Sequence, residues 1–79
     1  MKTEIFSHAI HNRNQIRFLY GLNEVFMEPY YISREKSGKK FIYGRISGSN
    51  EVKRFNYESI VNIKVLNKVK FSPIIPIIS

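Results

Sequence analysis

The 79-residue sequence contains no cysteine. That excludes a disulfide framework, a thiolate metal cage and a cysteine nucleophile, and it suits a reducing compartment. It also contains no aspartate, because all six acidic residues are glutamate. Without aspartate, and with no phosphate-cradling glycine-rich loop and no serine flanked by glycines, no catalytic constellation stands out. A glutamate beside a tyrosine, at Glu28 or Glu58, is the nearest approach to acid–base chemistry. The sequence therefore points to a protein that is not an enzyme and needs no cofactor. Long apolar runs are missing too. The apolar clusters are short and broken by charge, so no membrane span is expected. The opening "MKTEIFSHAI" carries Glu4 and His8 where a signal peptide would be apolar. Together these features place the expected protein in the cytoplasm.

What is present is a compact-domain composition. Hydrophobic residues make up 43% and aromatics 14%. A chain of this length forms one domain and buries only about 60–65% of its unfolded surface, so it must pack densely. Thirteen lysines and arginines against six acids leave a net charge of +7. An excess of this size favours anionic partners such as nucleic acid or nucleotides.

The hydrophobic period changes along the chain. Over 3–13, Ile5, Phe6, Ala9 and Ile10 recur at helical spacing, with Thr3 as the expected N-cap. Glu4, His8 and His11 fall on the opposite side of this helix. Three ligands from one short helix rarely converge on one ion, so they read as a solvated face and not as a metal site. From Gln15 the pattern alternates. Five strands are expected, over 15–20, 24–33, 41–46, 51–55 and 60–67, separated by "GLN", "REKSGKK", "SGSN" and "NYES". Pro29 predicts that the second strand is an edge or bends, and Gly44 marks a bulge or a close backbone approach. One helix followed by five short strands predicts a mainly β domain, a small meandering barrel over 15–67 that closes on itself. The tail over 70–79 interleaves Pro73 and Pro76 with four isoleucines. It reads as an extended segment docked on the barrel, or as an arm for a second copy or a partner protein.

The basic-aromatic residues form the candidate site. Arg13 and Arg17 lie at the helix–strand junction, Lys39, Lys40 and Arg45 flank the third strand, and Lys53 and Arg54 sit on the fourth. Neighbouring strands lie ~4.8 Å apart, so these cations could share one patch. Tyr30, Tyr31, Tyr43 and Phe55 supply rings for base stacking, although Phe18, Phe41 and Phe55 taken singly read as core. Alternation puts Lys53 on the face of Phe55 and Arg54 on the other. If Phe55 is inward, Lys53 points at the barrel interior or its mouth and needs Glu28, Glu58 or an anionic ligand as partner.

The segments "AIHNRNQIRFLY", "EPYYI", "KKFIYGRI" and "VKRFNYESI" resemble, in order and spacing over about residues 5–66, the WYL domain of bacterial regulators. The name-giving triplet of that family is represented here by Lys40-Phe41-Ile42, its Arg-x-Phe by Lys53-Arg54-Phe55, and its final arginine by Ser59. The resemblance implies an SH3- or Sm-like barrel that serves as a ligand-sensing module in transcriptional or defence-related regulation, with single-stranded nucleic acid or a nucleotide as ligand. In such regulators the module sits behind a helix-turn-helix domain. This chain leaves no room for one and is expected to stand alone. The residues expected to hold the ligand are Arg13, Arg17, Lys40, Arg45, Lys53 and Arg54, with Tyr31 and Tyr43 stacking. The alternative expectation is a protein-interaction or oligomerisation module using the Pro/Ile-rich tail and a strand edge.

Overall fold

In the computed structural model, the described residues are 1–71, with the side chains of 68–70 left outside the description. Helix α1 spans Lys2–His11 and buries Phe6, Ala9 and Ile10, the i, i+3, i+4 stripe that seats it on β1 and β2. Its N-cap is Met1, which offers no side-chain cap. Thr3 lies inside the first turn, so it is not the expected cap; its hydroxyl instead accepts from Lys40 Nζ at 3.4 Å. The helix also ends two residues earlier than the sequence suggests. Asn12 closes it by donating from its side chain to the His8 carbonyl, and Arg13 takes a left-handed φ of 58° that turns the chain into the sheet.

The strands are β1 (Asn14–Tyr20), β2 (Asn23–Arg34), β3 (Lys40–Ile46), β4 (Val52–Asn56) and β5 (Ile60–Lys70), with a 3-10 turn at Tyr57–Ser59. All pairings are antiparallel, in the order β4-β3-β2-β1-β5. The alternating pattern thus produced the strands it predicted, and the domain is mainly β as expected. The barrel, however, is not closed. Among the described residues no ladder joins the two outer strands, β4 and β5. The sheet rolls far enough that Phe55 of β4 meets Phe18 and Tyr20 of β1 edge-on, at centroid distances of 5.2 and 4.9 Å. Across the open seam the Asn56 N–H donates to the Tyr20 hydroxyl at 3.3 Å, a side chain standing where a strand would pair.

Pro29 sits mid-sheet and not at an edge. The β1 ladder has already ended at Met27, and the β3 pairing slips between Pro29 and Tyr31, so the bend that proline requires is a bulge. Opposite it, Gly44 makes the close approach its residue type suggested: a Cβ there would lie 2.3 Å from the Glu28 carbonyl oxygen. A second irregularity on β5 places Asn62 at φ 55°, a conformation asparagine tolerates better than most residues. The core is Phe6, Ala9, Ile10, Ile16, Phe18, Met27, Ile42, Phe55, Tyr57 and Ile60. Burying each large apolar side chain contributes about 1.5–3 kcal/mol. The tail beyond Phe71, which the sequence reads as docked or as an arm, lies outside the described residues. Phe71 itself is buried, its N–H on the Arg13 carbonyl and its ring 5.9 Å from Tyr30.

Candidate nucleic-acid interface

Register decides which side chains share a face. Ile32, Ile42 and Phe55 lie opposite one another on β2, β3 and β4, with Ile42 and Phe55 in the core. Their chain neighbours Tyr31, Phe41, Tyr43 and Arg54 therefore project from the convex face. Tyr31 pairs with Tyr43, and Tyr43 with Arg54, in one row across three strands. The two tyrosine rings stack, 4.5 Å apart and 13° from parallel. Both are half-buried. The Arg54 guanidinium lies 4.4 Å above the centre of the Phe41 ring, a cation–π contact. Its nearest carboxylate, Glu35, is 3.9 Å away and both groups are about half exposed, so this ion pair holds Arg54 only weakly.

Three rungs along β2 and β3 from this row lies the β2–β3 hairpin. Arg34, Lys36 and Lys39 stand there against the single carboxylate of Glu35. Among the described residues, Arg34, Lys36 and Lys39 are exposed and no carboxylate lies within ion-pair distance of them. Gly38 turns the tip with a φ of 92°. The arrangement places planar rings and a guanidinium in one row, with an exposed cationic loop beyond the strand ends.

Other residues predicted for the site do different work. Arg45 is a structural clamp: its Nε and Nη2 donate to the two Glu28 oxygens at 2.7 Å each, and Nη1 donates to the Ser49 carbonyl at 2.9 Å. The bidentate hydrogen bonds from Arg45 to the buried Glu28 raise the guanidinium pKa, with desolvation opposing. Arg17 is held by Glu24 at 2.5 Å on the face of β1 and β2, away from the tyrosine row. Arg13 lies at the α1–β1 turn, where its carbonyl receives Phe71. Lys40 is drawn back to Thr3 on the helix. Lys53 shares the concave face with Phe55, as alternation requires, but its partner is Glu51 at 3.8 Å and neither Glu28 nor Glu58. Tyr30 and Phe55 are core rings and not stacking surfaces. The structure thus gathers Tyr31, Tyr43 and Arg54 and disperses the rest. Phe41, read singly as core, is indeed buried, and it serves the row only as the ring beneath Arg54.

Glu4, His8 and His11 are exposed on α1, with His8 Nε2 3.1 Å from the Asn12 amide. No group of three His, Asp or Glu side chains among the described residues is arranged to hold a metal. At the helix start, Lys2 Nζ donates to the Tyr57 carbonyl. The Tyr57 ring packs edge-on against Phe6 at 5.1 Å, and its buried hydroxyl has no hydrogen-bond partner among the described residues. Burial pushes the Tyr57 phenol pKa up, with the nearby Thr3 hydroxyl opposing in part. No helix among the described residues is long and apolar enough to cross a membrane.

No family model, no curated protein and no solved structure matches this chain.

Proposed function

We propose that this chain is a non-enzymatic, cytoplasmic binding module of WYL type whose ligand is single-stranded nucleic acid or an oligonucleotide. The observation that carries the reading is the Tyr31–Tyr43 stack beside Arg54, opening onto the cationic 34–40 hairpin. Stacking of bases on exposed rings contributes about 1–3 kcal/mol per base and tolerates any sequence. The hairpin cations and Arg54 would meet the phosphates, and the net charge of +7 would speed encounter. Single strands fit better than duplexes, because stacking needs bases that are free to splay. The motif order shared with WYL domains, which serve regulators, supports the same class of ligand. Arg13, Arg17, Lys40, Arg45 and Lys53 fall outside the proposed interface.

The test is a fluorescence-anisotropy titration of a labelled single-stranded oligonucleotide, with a duplex of equal length as control. Tyr43→Ala should weaken single-strand binding about tenfold, and Lys36→Glu with Lys39→Glu should weaken it further. Arg17→Met should change it little. Equal affinity for duplex and single strand, or indifference to Tyr43→Ala, would overturn the reading.

A further inference from the structure

At the end of the rolled sheet away from α1, the concave face opens as a cleft of about 470 Å³ between the β1–β2 turn and β4. That size falls in the range of small-molecule sites. Its floor is apolar: Val25, Ile46, Phe55 and the Tyr20 ring. The Tyr20 hydroxyl is already engaged as acceptor for Asn56 N–H. Glu51 and Lys53 bring the charge to the rim, while the Glu24 carboxylate is turned to Arg17 on the other face of the sheet. Arg54 also lines the cleft, but its guanidinium sits over Phe41 on the opposite face, so it contributes main chain and stem.

The charges at this rim are not equally committed. Glu24 is bound by Arg17 at 2.5 Å. Lys53 and Glu51 are 3.8 Å apart, with side chains 51% and 59% exposed, a pair that solvent screens and an incoming carboxylate could replace at little cost. Lys53 is thus the one cationic head among the described lining residues that points into the mouth and is loosely held. A polyphosphate entering here would meet Glu51 with only the single cation of Lys53 to offset its charge. A neutral apolar molecule would leave Lys53 unused. A single negative charge on an apolar body uses both surfaces: the carboxylate takes Lys53 from Glu51, and the body covers Phe55, Val25 and Ile46.

We propose that this cleft binds a small monoanionic carboxylate with an aromatic or branched apolar body, independently of the tyrosine row on the convex face. The probe is indole-3-acetate, with uncharged indole-3-acetamide as its isostere, titrated into the full chain and followed by amide chemical shifts. Indole-3-acetate should shift Tyr20, Val25, Ile46, Lys53 and Phe55 and bind about two- to fivefold more tightly than the acetamide, the range for one solvent-screened ion pair. Lys53→Met, which keeps the stem, should lower acetate affinity to that of the acetamide. Glu51→Gln, which removes the internal competitor, should tighten acetate binding and leave the acetamide unchanged. Tyr43→Ala should alter neither. The proposal is overturned if the two probes bind equally, if neither Lys53→Met nor Glu51→Gln changes acetate affinity, if the shifts map to Tyr31 and Tyr43, or if millimolar indole-3-acetate shifts nothing.

Discussion

Replacing Gly44 with alanine probes the β2–β3 contact on which the interface is built. At most helix or strand positions with ordinary backbone angles, Gly→Ala stabilises by about 0.4–1 kcal/mol, because it restricts the unfolded chain. Gly44 is not among the glycines with positive φ, so backbone conformation raises no objection to alanine. The objection is steric. A Cβ at this position lies 2.3 Å from the Glu28 carbonyl oxygen and 2.4 Å from Met27 Cε. The methionine end can swing aside. The carbonyl belongs to β2 at its bulge, and the Glu28 side chain is held by two hydrogen bonds from Arg45. Relief therefore requires β2 and β3 to part by about an ångström where both are packed at interior density. Overpacking of this kind costs about 1–3 kcal/mol, and the fixed neighbour puts Gly44→Ala near the upper end. After the unfolded-state gain, a net loss of about 2 kcal/mol is expected, set against a total of about 4–12 kcal/mol for a domain this small. Urea unfolding should show a lower midpoint with an unchanged slope, and the melting temperature should fall by about 8–16 °C. An alanine variant as stable as the parent, or more stable, would refute the register and the close approach together.

Tyr57→Phe should be neutral or stabilising in urea unfolding, because it deletes a buried hydroxyl with no partner among the described residues. It should also flatten the alkaline limb of stability. An acid with a raised folded pKa keeps its proton longer when folded, so stability is intact below the ordinary tyrosine pKa of about 10 and falls as pH rises past it. At Asn62, the left-handed backbone predicts that glycine stays within about 0.5 kcal/mol of the parent while valine loses about 1–2 kcal/mol. Glu28→Ala, which strands the Arg45 fork beside a buried position, should lower the unfolding midpoint much more than Glu24→Ala, which breaks an exposed pair. For nucleic acid, engagement of Arg34, Lys36, Lys39 and Arg54 predicts a log–log salt slope near −3, from about −0.7 per phosphate contact.

The strands were readable because their period is local. Ile16 and Phe18, then Ile42 and Phe55, alternate with polar or outward residues, and each pair entered the core as alternation required. The same parity told that Lys53 and Arg54 part to opposite faces. Closure was not readable, since it depends on how far the sheet rolls and on β4 ending in a 3-10 turn before it can reach β5. Partners of the cations were equally hidden. Arg45 and Glu28 are 17 positions apart, and only the cross-strand register makes them neighbours. Spacing in sequence could place Arg13, Arg17 and Arg45 near strand ends, but not show that glutamates on β2 already hold Arg17 and Arg45. Pro29 illustrates a half-readable feature: its missing donor forecast an edge or a bend, and the long β2 strand supplied the bend in mid-sheet.

The central claim is that the convex face of β2, β3 and β4 holds the ligand. Amide and aromatic chemical-shift mapping with a short single-stranded oligonucleotide tests it most directly. The account predicts saturable shifts at Tyr31, Phe41, Tyr43 and Arg54, together with Lys36 and Lys39 on the hairpin, and none at Val25 or Ile46. Shifts spread over α1 and β5 with the tyrosine rings unmoved would contradict it.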